Sequence, residues 1–517
     1  MRKALLLSLV AAMVSSLLTS CGMNSMSSGM QSSSQTAPVS LTMTDDPPAG
    51  VSVLFFQVSL TDASLMPSSG TAVSLLNNNT PIQIDVTQLQ ALSAFLSTAN
   101  VPAGTYSSLN LTFASPQLVI FNDSDQAIAS TCAVGTVCQL TPTIDNSATV
   151  TLSTAPFPVT VATNSPLGFL VDFHLNTIIQ SDLSVNLGAS NGVTLKQLPS
   201  TGPMQPPPFG FVAGTVESVM ASSNQFTLQT AWGRTFTIDS GSSTTYDDFP
   251  MSACATGSIS CVASGQIVRV QVASVVSTGI LMASQVTYLQ AAGQQTVEGT
   301  IVDVLPPPPT VAGTAGLWTI KLILHRNPTN NSGLPLGGEA SVSIASNATY
   351  SIDANGFTIP SGLTFTGGAN LGVGQTVQVN VVSGSLGPVT SPMPMVAGEW
   401  SAPRLLAFTT STVELEPGQI TGTVSGLGSA SFTLSGFPSI CFGPRIAANA
   451  TSLQSMVETT SQTTYQGFSM DSFSGLANGD VVSVSGWLFP QNGVVNPAVG
   501  PPTVLAEAIS LHSDGWF

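Results

Sequence analysis

Gly214-Thr215-Val216-Glu217-Ser218-Val219 recurs as Gly299-Thr300-Ile301-Val302-Asp303-Val304 and again as Gly422-Thr423-Val424-Ser425-Gly426-Leu427. Each copy sets β-branched residues behind a leading glycine and reads as a strand. Further landmarks follow each copy in the same order. A second strand reads Phe226-Thr227-Leu228, Trp318-Thr319-Ile320 and Phe432-Thr433-Leu434, which makes Trp318 a core residue. A Thr-Tyr pair recurs at Thr245-Tyr246, Thr349-Tyr350 and Thr464-Tyr465. Then come Gly265-Gln266-Ile267-Val268, Gly374-Gln375-Thr376-Val377 and Gly479-Asp480-Val481-Val482, with closing strands at 281–288, 405–413 and 505–511. Ordered landmarks at a regular spacing mark a repeat. Five or six strands in about 80–120 residues suit small OB-like β-barrels, which leave no sheet edge exposed. The repeats are expected at 211–292, 297–416 and 420–514.

Upstream of the repeats, short β-branched runs alternate with Gly, Pro, Asn and Ser, so the whole chain reads as all-β. Val51 to Leu60 is apolar enough to be a strand buried on both faces for half its length. Ser107 to Phe113 alternates strictly, and further strands are expected at 117–121, 148–152, 159–162 and 169–175. One helix candidate intervenes: Asp85 as cap, Gln88 answering it, and Leu89, Leu92, Phe95 and Leu96 as its apolar stripe. Residues 39–198 therefore predict a β-sandwich with one short helix. Pro199 to Pro208 begins a stiff, extended linker at 199–210.

Two resemblances rest on these residues. Thr44-Asp45-Asp46-Pro47-Pro48, Val51–Leu60, Ile84-Asp85-Val86 and Pro102-Ala103-Gly104-Thr105-Tyr106 resemble the bacterial family called domain of unknown function 4382. The Pro-Ala-Gly-Thr-Tyr turn is also similar to that of transthyretin-like and carboxypeptidase-regulatory-like sandwiches, which implies a fold and no activity. The glycine-led units at 213–512 resemble tandem copies of a second family, domain of unknown function 5666, with the middle copy the loosest match. The two resemblances imply extracytoplasmic modules and transfer no catalytic residue.

The N-terminus carries an address. Arg2 and Lys3 precede an apolar run, and Leu18-Thr19-Ser20-Cys21 resembles the bacterial lipobox, in which the cysteine is acylated. Residues 1–20 are thus expected to be a signal peptide and Cys21 the site of a palmitate-bearing anchor in the membrane. The charge-free segment 21–38 reads as a flexible tether. Gly22 in place of Asp favours the outer membrane of a diderm cell envelope, on its periplasmic or surface face. Few tyrosines and the lipobox argue against an outer-membrane barrel.

Composition narrows the function classes further. Only 7% of residues are charged, and 25 acids against 9 bases set a net charge of −16. That field repels phosphate backbones, so nucleic acid is excluded as a partner. Cys132 with Cys138, and Cys254 with Cys261, are spaced for two local disulfides in an oxidising envelope, and Cys441 is left over.

Candidates for chemistry are sparse. Asp172 and His174 share one face of a strand and could serve as a base with its orienter, although a paired polar face explains them as well. His325 reads as isolated and exposed. Asp123 and Asp125 are weak calcium candidates, weaker still at Asp45 and Asp46, and no metal site is otherwise expected. Trp232 and Trp400 are the candidates for stacking on a sugar. No cofactor is implied. The expectation is a lipid-anchored, non-enzymatic envelope protein with a binding or structural role, toward polysaccharide or another envelope protein. An envelope hydrolase using carboxylates or Asp172 and His174, and a self-assembling surface-layer component, are the alternatives.

Overall fold

The computed structural model describes residues 36–46, 52–76, 81–89, 94–122, 127, 132–145, 147–180, 182–198, 210–230, 233–250, 254, 257–277, 279–292, 295–307, 317–326, 334–354, 356–388, 406–436, 454–468, 470, 472–490 and 502–512. Cys21, Asp123, Asp125, Trp232, Trp400, Cys441 and most of the proline-rich linker lie outside the described residues, as do the side chains of Asp45 and Asp46.

The fold is all-β. The N-terminal part holds β1 (Thr36–Asp46), β2 (Ser52–Pro67), β3 (Val73–Ser74), β4 (Ile82–Asp85), β5 (Ala94–Pro102) and β6 (Gly104–Phe121). It continues with β7 (Val137–Leu140), β8 (Thr149–Leu152), β9 (Val159–Val161), β10 (Leu167–His174), a single α-helical turn α1 (Leu175–Ile178) and β11 (Val193–Leu198). One layer runs β11-β10-β1-β5, and the other is built around β3-β2-β6-β7 with β4, β8 and β9 alongside. Between them lies a core that includes Leu41, Phe56, Val58, Leu60, Phe113, Phe169 and Phe173. The strand already begins at Thr36, so residues 36–38 belong to the sheet rather than to a tether. At the turn after β5, the Tyr106 hydroxyl donates to the Pro102 carbonyl at 2.9 Å, a tyrosine-to-backbone tie of the kind that fixes sandwich corners.

The expected helix is corrected. Val86–Leu89 forms one 3-10 turn, and Phe95 and Leu96 lie on β5. Both are buried because the strand is covered twice: Leu96 faces the sandwich core and Phe95 the core of the first barrel. A strand covered on both faces shows no alternation, and its adjacent apolar pair mimicked a helical stripe.

Three barrels follow. The first comprises β12 (Phe211–Met220), β13 (Gln225–Gln229), β14 (Thr235–Asp247), β15 (Ile267–Ser277) and β16 (Ile280–Gln290). The second comprises β17 (Thr296–Leu305), β18 (Thr319–Arg326), β19 (Glu339–Ile352), β20 (Thr376–Asn380), β21 (Gly387–Pro388) and β22 (Leu406–Glu416). The third comprises β23 (Gly418–Ser425), β24 (Ser431–Ser435), β25 (Gln454–Glu458), β26 (Thr464–Gln466), β27 (Val481–Phe489) and β28 (Thr503–His512). All three share one wiring. With β25 and β26 counted together as the third strand of the last barrel, the opening strand pairs antiparallel with the second and the fourth, the second with the third, the fourth with the last, and the third runs parallel to the last. That order closes an OB-like barrel. A single parallel pair, Phe211 with Ala94, makes the first barrel continuous with the sandwich sheet.

The landmarks have physical causes. A Cβ on Gly214, Gly299 or Gly422 would lie 2.2–2.4 Å from the carbonyl oxygen of Gln229, Ile323 or Ser435 on the neighbouring strand, so only glycine permits that approach. Gly265, Gly374 and Gly479 carry positive φ and donate N–H to Val216, Ile301 and Val424. The residue after each returns a side-chain oxygen to a backbone N–H three residues earlier, at 2.7 Å in every case. The Thr-Tyr pairs also coincide, because Tyr246, Tyr350 and Tyr465 stand opposite Val286, Val413 and Ile509. The second strand needs a correction. Leu228, Leu322 and Leu434 occupy one register, opposite Val216, Ile301 and Val424, so Ile320 rather than Trp318 matches Phe226 and Phe432. Trp318 is half-buried over Gly368, where a Cβ would collide with its indole.

Gly422→Ala is expected to lower stability by about 1–3 kcal/mol, since the neighbouring backbone has to yield. Gly104→Ala, which meets open space, is expected to stay within about 0.5 kcal/mol of the wild type. Urea unfolding followed by circular dichroism checks both.

Candidate functional site

Asp172 and His174 lie on β10 with Phe169, Val171 and Phe173 directed into the core between them. The His174 Nε2 is 3.9 Å from Asp172 Oδ2 and 3.3 Å from the Thr194 hydroxyl of adjacent β11. Both side chains are part-exposed, and their neighbours are those of a polar strand face. Cys132–Cys138 and Cys254–Cys261 are disulfide-bonded, each clipping its own loop. Among the described residues, no group of three or more His, Cys, Asp and Glu could hold a metal ion, and no helix is long and apolar enough to cross a membrane.

The second histidine is the surprise. His325, expected to be isolated and exposed, has a side chain only 2% exposed. Its Nδ1 lies 3.2 Å from Asp85 Oδ2 of the sandwich, and its Nε2 lies 2.8 Å from the Thr300 hydroxyl of the second barrel. Asp85 is held in turn by the Thr87 backbone N–H at 3.2 Å and the Thr87 hydroxyl at 2.5 Å. Carboxylate, imidazole and hydroxyl stand in the order that activates a nucleophile. Here, however, Phe55 packs beside the ring with centroids 6.1 Å apart, and the imidazole is shut from solvent. A buried Asp–His pair with every ring nitrogen partnered serves instead as a clasp between two domains.

Apolar contacts surround that clasp. Leu54, Phe55, Val119 and Phe121 of the sandwich form one cluster with Val302, Ile323 and Val373 of the second barrel. Gly337, at φ +70°, gives the Phe55 ring its place, since a Cβ there would lie 2.5 Å from it. The first barrel is tied on separately. Arg234 Nη1 donates to the Leu96 carbonyl at 3.2 Å, and the Gly279 N–H donates to Thr98 Oγ1 at 2.9 Å. Burial without a neighbouring acid depresses the Arg234 guanidinium below its ordinary value.

The second barrel carries a further polar row. On its outer face Arg326 pairs with Glu298 and donates to Gln378 Oε1 at 3.3 Å. Gln378 donates to Glu414 at 3.4 Å, and Ser351 donates to Glu414 at 3.0 Å. These residues are cross-strand neighbours over β18, β17, β20, β22 and β19, so one polar row rings the barrel. Burial alone would depress Arg326, but the carboxylates of Glu298, Glu416 and Asp353 lift it above its ordinary value. Burial, followed by the charges of Asp353 and Glu298, holds the Glu416 carboxyl well above the carboxylate range.

The model of a domain of unknown function, DUF4382, matches residues 36–196. That span is the sandwich. A second, DUF5666, matches residues 421–495, from within β23 to just past β27 of the third barrel. No curated protein matches the chain. Neither matched span contains the whole clasp, because Asp85 lies in the DUF4382 span while Thr300 and His325 belong to the second barrel.

Loss of the clasp is expected to be costly. His325→Ala leaves the Asp85 carboxylate buried without its imidazole and is expected to cost about 2–4 kcal/mol. His174→Ala, at a part-exposed pair, is expected to cost under about 1 kcal/mol. Scanning calorimetry of the two variants against the wild type separates them by melting midpoint.

Proposed function

We propose that this chain is a lipid-anchored, non-enzymatic protein of the bacterial cell envelope, holding a sandwich and three barrels off an outer membrane. The observation that carries the reading is the sequence Leu18-Thr19-Ser20-Cys21, followed by a stretch with no charge up to the first strand at Thr36. Such a segment supplies an acylated cysteine and a polar spacer. The two disulfides support an oxidising compartment, where they persist. The first two barrels are read as further copies of the module matched at 421–495, supported by their shared wiring and glycine contacts.

A binding or structural role fits better than catalysis. The histidines with carboxylate neighbours serve a strand face and a domain clasp, and the clasp histidine is closed to a substrate. The uncharged polar coat, rich in Ser, Thr, Asn and Gln, suits hydrogen bonding to envelope polysaccharide or to another envelope protein.

Metabolic labelling with an alkyne-bearing palmitate analogue tests the anchor. The wild-type chain is expected to take the label and sediment with outer membranes. Cys21→Ala is expected to lose both the label and the membrane association. Label retained by Cys21→Ala, or a wild type that stays soluble and unlabelled, overturns the reading.

A further inference from the structure

Residues 36–198 hold nine acids, one lysine and one histidine, and these are spread unevenly along the sandwich. At one end β1 begins at Thr36, opposite Pro102 where β5 finishes. The Asn164 N–H donates to the Thr36 carbonyl at 3.2 Å, and the Ser68 N–H donates to the Thr105 carbonyl at 3.1 Å. Gly104 stands opposite Val161, and Tyr106 opposite Pro67. These contacts gather three turns, residues 67–72, 102–105 and 162–166, around the root of β1. Most of their residues are exposed, and segments 36–44, 66–72, 98–112 and 149–166 contain no charged residue.

The charges lie toward the other end. Asp46 and His174 stand opposite each other where β1 and β10 finish. Asp145 and Asp182 both accept from Ser184, beyond α1, and Asp85 meets the second barrel. Asp62, opposite Thr112, and Lys196, opposite Leu170, come closest to the root of β1. The barrels also attach away from that root. Phe211 pairs with Ala94 at the start of β5, and the second barrel covers Leu54, Phe55, Val119 and Phe121, where β2 begins and β6 finishes. From Leu54 to Pro67, β2 runs about 40 Å at the rise of a strand.

Residues 22–35, fourteen in all, separate Cys21 from Thr36, a length that reaches at most about 50 Å. Turning the far end of the sandwich to a bilayer requires this segment to run back beside about 40 Å of strand, close to its limit. Keeping the uncharged end toward the bilayer requires no such stretch. Charge favours the same orientation. Anionic headgroups repel acidic side chains within a Debye length of about 8–10 Å, and the end at Thr36 has none to repel. We propose that the uncharged end of the sandwich faces the lipid headgroups and that the barrels are held outward, a reading that rests on the anchor at Cys21. The sandwich is then a pedestal, and a polysaccharide or protein of the envelope meets the barrels first.

The full chain, purified with its lipid and carrying Cys441→Ser, is the material for the test. A bimane fluorophore is attached at Ser69→Cys or Ala103→Cys, on the uncharged turns, or at Ser190→Cys, beside the charged end. All three positions are exposed, and circular dichroism checks that strand content is unchanged. Each chain is placed in vesicles that contain a lipid with a nitroxide headgroup. The labels at 69 and 103 are expected to be quenched several-fold more than the label at 190. The contrast is expected to be larger with phosphatidylglycerol present than with phosphatidylcholine alone, because the acids at the far end are then repelled. Equal quenching at the three positions, or stronger quenching at 190, overturns the orientation. Flotation distinguishes the failure of the anchor, since a chain without its lipid stays out of the vesicle fraction. A hexahistidine in place of residues 1–21, held by a nickel-chelating lipid, then puts the same comparison to the orientation alone.

Discussion

Leu54 to Leu60 of β2 are all withdrawn from water, a condition that no strand with one solvated face can meet. Phe56, Val58 and Leu60 satisfy it on one side by filling the sandwich core. A register shift between Val53 and Phe55 turns both Leu54 and Phe55 to the other side, where Val302, Ile323 and Val373 of the second barrel cover them. The place of that barrel follows from this second burial. Once it is set there, Asp85 and His325 meet at the rim of the apolar contact, where water no longer competes for their hydrogen bond. The third barrel then docks on the second, with Trp487, Phe489 and Leu505 entering the second barrel's core cluster.

A chain with so few charges makes their positions informative. Arg234 lies in the seam between sandwich and first barrel, and Arg326 pairs with Glu298 across two strands of the second. Lys321, bridging Asp303 and Glu339 across the face of one barrel, is the ordinary surface case. Solubility here is carried largely by hydroxyl and amide groups, while Arg234 and the Asp85–His325 pair sit where domains touch. Buried charges depend on matched partners.

How much of this was legible depends on the range of the interaction. The barrels were readable because the glycine approaches and the Gly-Gln turns are local and recur in the same order. The middle unit's second strand was misaligned by two residues because Trp318-Thr319-Ile320 imitates Phe226-Thr227-Leu228 in composition, and only pairing with β17 reveals the register. Leu89, Leu92, Phe95 and Leu96 imitated a helix for a related reason: Phe95 and Leu96 point into two different cores. The Asp85–His325 clasp had no local signal at all, since its partners are 240 residues apart.

Repeated modules on long linkers act as independent heads whose joint action depends on linker reach. These barrels are joined differently. Residues 291–295 connect the first to the second, and Pro417 alone connects the second to the third. Gln375 Nε2 donates across the joint to the Leu488 carbonyl at 2.9 Å, and Gln462 bonds both the Thr358 N–H and the Gly356 carbonyl. The Gln375 bond is buried, so the third barrel cannot turn on the second without breaking it. The repetition therefore multiplies seams rather than free binding heads, and selection on such a chain acts on the fit between modules as strongly as on any one module's surface.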